Sequence, residues 1–142
     1  MAENSTPVAP VFLTLMLCER IIHDAISGQH SLIGLVSNIN APRFPVQTPS
    51  LAIFTELTGC HGVVGMTFRI VDVNEERPPV CQIDLQGQMD DPLAVAQFAF
   101  GVPSMVFPQE GDYRVQAVVS GVAELEKRLM VRKVAPRELE GE

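Results

Sequence analysis

Apolar and polar residues alternate strictly in the second half of this chain, and in the first half the alternation is lost. Within 80–87, Cys81, Ile83 and Leu85 share one parity while Gln82, Asp84 and Gln86 take the other, the period of a β-strand with one dry face and one wet face. The same period recurs over 64–72, with Met66, Phe68 and Ile70 opposite Thr67 and Arg69, and over 113–119, where Tyr113, Val115, Ala117 and Val119 are placed inward. A last strand is expected over 125–134, burying Leu129 and Val131.

Residues 11–22 are apolar on both parities, with Leu13, Leu15, Leu17 and Ile21 on one and Phe12, Met16, Cys18 and Ile22 on the other. Such a strand needs cover on both faces. Segments 33–39 and 51–57 are two-faced in the same way, and the loop between them holds Pro42, Pro45 and Pro49, which a central strand does not tolerate. In a sandwich only one face of 11–22 meets the core. The other is covered either by that loop or by a twin subunit in a C₂ arrangement. Prolines span an edge better than they blanket a face, which favours a homodimer and makes Phe12, Leu15 and Met16 the interface candidates.

Asp24 to Gln29, with Ser27-Gly28 inside it, reads as a turn. Asp91-Pro92 followed by 93–100 and Gly101 carries helix signals in order, yet Ala94, Ala96, Phe98 and Phe100 also alternate, and strand is the favoured reading of 92–100. With 10 glycines and 11 prolines punctuating apolar segments, the expectation is an all-β fold of about eight strands. Phe107-Pro108 leads to Gly111-Asp112-Tyr113 at the head of an alternating strand. That arrangement builds a tyrosine corner, in which the phenol bonds back to the upstream backbone. Gly111 and Tyr113 are therefore structural candidates, and the architecture expected is an antiparallel Greek-key, immunoglobulin-like β-sandwich.

A chain of 142 residues is about one domain by length. Its ordered core is placed at about 10–135 and its polar tails at 1–9 and 136–142. Net charge is −7, and the five basic residues of the C-terminal stretch are matched by five glutamates there. Nucleic acid is thus not an expected partner. The longest apolar run, 11–18, falls far short of the roughly 20 residues of a spanning helix, so no membrane association is expected. Three cysteines and a start that lacks a basic leader region point to reduced thiols and a cytoplasmic location. The Asn4-Ser5-Thr6 acceptor pattern is read as a solvated tail.

Candidate chemistry is sparse. Cys60-His61, with Cys18, His23 and Cys81 elsewhere, supplies zinc-type ligands, but no pair has zinc-site spacing, and no metal or cofactor is expected. Cys18 and Cys81 read as small core residues, Cys60 as an exposed turn thiol. Gly59, Gly62 and Gly65 lack the lysine and the following helix of a phosphate loop and read as hairpin glycines. Neither the cluster Glu19, Arg20, His23 and Asp24 nor the loop acids Asp72, Asp90 and Asp91 form a calcium pattern. With no Trp and one Tyr, aromatic platforms for sugars or single-stranded bases are missing.

Leu17-Cys18-Glu19, Ile22 and Asp24, then Ser31-Leu32-Ile33-Gly34, Phe44-Pro45, Leu57-Thr58-Gly59, Arg69-Ile70-Val71-Asp72 and Phe107-Pro108 to Gly111-Asp112-Tyr113 follow one another in order. Over roughly 11–133 the chain resembles a family of small bacterial proteins of unknown function. That resemblance implies a stand-alone β-sandwich and supplies no activity, cofactor or catalytic residue. The leading expectation is a non-catalytic, cytoplasmic protein-interaction module. The alternative is a metal- or small-ligand-binding enzyme accessory using Cys60, His61, Asp72 and Asp90.

Overall fold

The computed structural model describes residues 9–74, 76–119 and 123–136. The tails at 1–8 and 137–142, with the Asn4 acceptor, lie outside the described residues. Among the described residues the protein is all-β, with eleven strands in place of the eight expected. They are β1 (Val11–His23), β2 (His30–Leu35), β3 (Asn38–Ala41), β4 (Val46–Gln47), β5 (Leu51–Thr58), β6 (Gly62–Asp72), β7 (Cys81–Met89), β8 (Ala96–Val102), β9 (Val106–Phe107), β10 (Gly111–Val119) and β11 (Ala123–Lys133). One sheet has the order β2-β1-β5-β8 and is antiparallel throughout. A second, β3-β11-β10-β6-β7, is mixed because β3 runs parallel to β11. The extra elements are short: β4 and β9 form a two-residue ladder that pairs Val46 and Gln47 of the proline loop with Phe107 and Val106.

Both sheets contribute to one core. Leu15, Leu17, Ile53 and Leu57 come from the first, and Met66, Phe68, Val115, Ala117, Leu129 and Val131 from the second. Phe68 bridges the layers, 6.4 Å from the ring of Phe12 and 4.8 Å from that of Phe100. The predicted inward residues of 64–72 and 113–119 are buried, and Cys81, Ile83 and Leu85 are partly buried against the core.

β1 carries a register shift between Phe12 and Thr14. Such a bulge reverses the side-chain parity, so Phe12, Leu15 and Leu17 all face the core despite their mixed numbering. Phe12 and Leu15 are thereby withdrawn from the surface as interface candidates; the half-buried Met16 lies on the other face. Part of that outer face is dry too: Cys18 is 0% exposed and Phe54 7%. The cover is the chain's own hairpin. Met16 pairs with Phe54 and His23 with His30, and seven strand residues span roughly 23 Å when straight. Yet the rings of His30 and Phe54 are 5.3 Å apart, so the β1–β2 hairpin curls back over its own sheet. Small residues beneath it, Ala52, Ala99 and Gly101, leave room for that return.

Gly34 stands opposite Glu19 where the ladder skips a pair, between Cys18↔Leu35 and Arg20↔Ile33. Its φ of 70° suits glycine, and a Cβ there would lie 2.6 Å from Glu19 Cδ. The single strand expected over 33–39 is two: the Val36 N–H donates to Leu17 O on the first sheet, and Ser37 O accepts from the Met130 N–H on the second. The 92–100 segment is strand from Ala96, and the Asp-Pro signal caps a turn instead of a helix, with the Leu93 N–H donating to Asp91 Oδ1 at 2.9 Å. The turn at 24–29 forms as expected, with the Gly28 N–H bonding Asp24 O at 2.8 Å.

Candidate functional site: a cleft where the chain changes sheets

The crossing from β2 to β3 leaves a cleft of about 670 Å³, inside the size range of small-ligand and peptide sites. Ile33 and Val36 wall it from the hairpin side, Ile39 from β3, and Val46 and Leu51 from the far side of the proline loop. Its rim is polar and hydrogen-bonding, formed chiefly by the uncharged Asn38, Asn40, Gln47, Thr48 and Ser50, with one acid and one base, Glu19 and Arg20, beside them. Thr48 is fixed from behind: its N–H donates to Met105 O at 2.8 Å and its Oγ1 accepts from the Met105 N–H at 3.0 Å. Ser104 bonds Thr48 O at 2.6 Å and accepts from Gln47 Nε2 at 2.9 Å. This wall is rigid by hydrogen bonding. Two strands that border the cleft, β2 and β3, are the outermost strands of their sheets, and such edges present unpaired backbone groups.

None of the three cysteines is an activated nucleophile. All three cysteines are free, and burial pushes each thiol above its usual pKa, with the Arg20 backbone only partly opposing this at Cys18. A raised thiol pKa leaves little thiolate at neutral pH. Cys60, expected as an exposed turn thiol, belongs to the core, and only His61 beside it is exposed. Gly59 and Gly62 have φ of 84° and 87°, and the turn they build passes from one sheet to the other, so it is not a hairpin.

The four residues of the accessory reading do not converge. Cys60 and His61 precede β6, whereas Asp72 ends it, and the eleven residues of β6 place those ends roughly 33 Å apart. Asp90 lies with the first pair, since Gly62 is paired with Met89. Asp72 lies instead in a notch of about 120 Å³ beside Tyr113, where its Oδ1 accepts from the Glu76 N–H at 3.2 Å. No group of three or more His, Cys, Asp or Glu side chains among the described residues is placed to hold a metal.

At that same end Tyr113 makes the predicted corner: its hydroxyl donates to Gln109 O at 2.9 Å. The phenol is buried, which raises its pKa, and its ring meets Phe107 edge-on at 5.0 Å. Gly111, by contrast, does not have a positive φ, and a Cβ there would meet only Tyr113 Cε1 at an ordinary 3.6 Å.

The cleft residues Ile33, Val36, Ile39 and Leu51 are not among the sequence candidates. Their one signal is that 33–39 and 51–57 are both two-faced around a proline loop, which marks a surface needing cover without locating it. No helix among the described residues is long and apolar enough to cross a membrane.

A family of unknown function, DUF6941, matches residues 13–132, and the chain belongs to that family. No curated protein matches it.

Proposed function

Membership in a family without an assigned activity leaves the geometry to speak, and we propose that the chain is a non-catalytic interaction module that holds an extended segment of a protein partner in the β2–β3 cleft. The observation that carries this reading is the lining: apolar walls at Ile33, Val36, Ile39 and Leu51 under a rim of neutral amides and hydroxyls. Main-chain amides of an extended segment satisfy such a rim, and the edge strands β2 and β3 offer backbone for strand addition. The architecture we assign is an immunoglobulin-like Greek-key sandwich. Support comes from the order of the two sheets, the parallel β3–β11 pairing and the tyrosine corner at the head of β10. A cytoplasmic location is supported by three unpaired cysteines.

The test is selection of displayed peptides against the wild-type chain with counter-selection against Ile39→Glu. Enrichment of extended apolar sequences that lose binding to the variant supports the cleft. Peptides that bind both proteins equally, or no enrichment at all, overturn it.

A further inference from the structure

His23 and His30 are directly paired at the end of the β1–β2 hairpin, with ring centroids 4.8 Å apart and planes inclined by 42°. The turn that closes them is held from within. The Asp24 N–H donates to Gln29 O at 2.8 Å, and the Asp24 carboxylate accepts from the Ile26 and Ser27 N–H groups at 2.8 and 3.0 Å. His30 is anchored a second time by its contact with Phe54, while His23 is exposed. His30 Nδ1 is buried and makes no hydrogen bond. Buried polar atoms ordinarily find a partner, so this nitrogen has an unmet requirement.

Two imidazoles that share one metal ion at nitrogen distances of roughly 2.0–2.1 Å, with an angle between a right angle and a tetrahedral one, place their ring centres roughly 5 Å apart. The observed spacing of 4.8 Å meets that requirement. We propose that His23 and His30 form a bis-imidazole site for a borderline divalent cation of the zinc, nickel or copper class. Imidazole suits these ions and not calcium or magnesium. The exposed His23 ring is free to turn a nitrogen toward the ion, while His30, held against Phe54, offers its own from a fixed ring. With no third protein ligand among the described residues, water fills the remaining positions and the ion exchanges freely. The Asp24 carboxylate, held in the turn by the Ile26 and Ser27 N–H groups, adds a negative charge beside the pair. A cation at this position ties β1 to β2 at the point where the hairpin lies on Phe54.

Isothermal titration of Zn²⁺ or Ni²⁺ into the full, reduced chain at neutral pH tests the site. One ion per chain is expected, with affinity falling by at least about tenfold in His23→Gln and in His30→Gln, since each removes one of two ligands. His61→Gln should bind as the wild type does. His23 is exposed, so His23→Gln is the variant that keeps its fold and decides the matter. Saturable binding that survives His23→Gln, or no saturable binding by the wild type, overturns the proposal. Side-chain NMR gives the second readout: the His23 and His30 imidazole signals should move or broaden together as the ion is added while those of His61 stay in place.

Discussion

The two sheets turn very different outer faces to their surroundings. On the β3-β11-β10-β6-β7 sheet, Gln82, Asp84 and Gln86 are exposed. Polar side chains pair across strands there, as Thr67 does with Asp84 at 2.7 Å. On the β2-β1-β5-β8 sheet the corresponding positions are Cys18, Ala52 and Phe54, all buried, because the hairpin of that same sheet returns over them. A wet outer face costs nothing to leave open. A dry one has to be closed, and here the chain closes most of it alone, which removes the main reason for requiring a twin subunit.

The largest effect should come from removing that closure. Phe54→Ala deletes a ring buried between strand and hairpin and is expected to cost about 3–5 kcal/mol. Gln82→Ala, on the open face of the other sheet, should stay within about 0.5 kcal/mol. Urea denaturation of both variants gives the comparison, and equal midpoints would show that the hairpin does not seal the sheet.

Next in size is the glycine at the curl. Gly34→Ala forces a side chain into a left-handed conformation at roughly 1–2 kcal/mol and sets its Cβ against Glu19. Adding Glu19→Ala should relieve the collision while leaving the conformational cost in place. Gly111→Ala, where neither problem exists, should be nearly neutral. If Gly34→Ala is as mild as Gly111→Ala in thermal unfolding, the curl does not depend on this residue.

These positions also show what the sequence reveals and what it hides. Alternation over 64–72, 80–87 and 113–119 identifies strands and their inward residues because water on one face writes a period of two into the chain. The tyrosine corner is legible for a similar reason, since Gly111-Asp112-Tyr113 is local. The sheltered sheet erases that period. A bulge at Phe12 and Thr14 reverses parity without leaving a mark in composition, so Phe12 and Leu15 share a face that counting assigns to opposite sides. The His23–His30 pair is seven residues apart in sequence with no metal-site spacing, and it emerges only once the register of the hairpin is known. The cleft likewise depends on where the chain leaves one sheet for the other at Val36 and Ser37, a choice that no single residue announces.

A smaller loss is expected at the corner. Tyr113→Phe removes one hydrogen bond to Gln109 O and keeps the ring against Phe107, so stability should fall by about 1 kcal/mol with the far-UV circular dichroism of the folded state unchanged. A wild-type midpoint in Tyr113→Phe would mean that packing of the ring alone holds the turn.

The smallest effect separates the two outer faces by how each stabilises a carboxylate. Glu56, on the sheltered sheet, is held below its ordinary 4.5 chiefly by the Thr14 hydroxyl at 2.5 Å, then by Gln97, against the opposing pull of desolvation. Asp112, on the open sheet, is held below 3.8 chiefly by the hydrogen bond from Arg114, then by Arg128 at 3.2 Å, again against some desolvation. In both cases the folded pKa lies below the unfolded one, so the contribution is complete above the unfolded value and fades as pH falls through the folded value. Both therefore act on the acid limb, below about pH 4.5 for Glu56 and below about pH 3.8 for Asp112. Their partners differ in charge, and salt separates them. Raising ionic strength screens the arginines around Asp112 and leaves the neutral donors to Glu56 untouched. In Glu56→Gln the part of the acid limb that persists should therefore be salt-sensitive, and in Asp112→Asn it should be salt-insensitive by comparison, as read from melting temperature against pH at low and high salt. The reverse pattern would place the electrostatic stabilisation on the sheltered sheet and undo the contrast between the two faces.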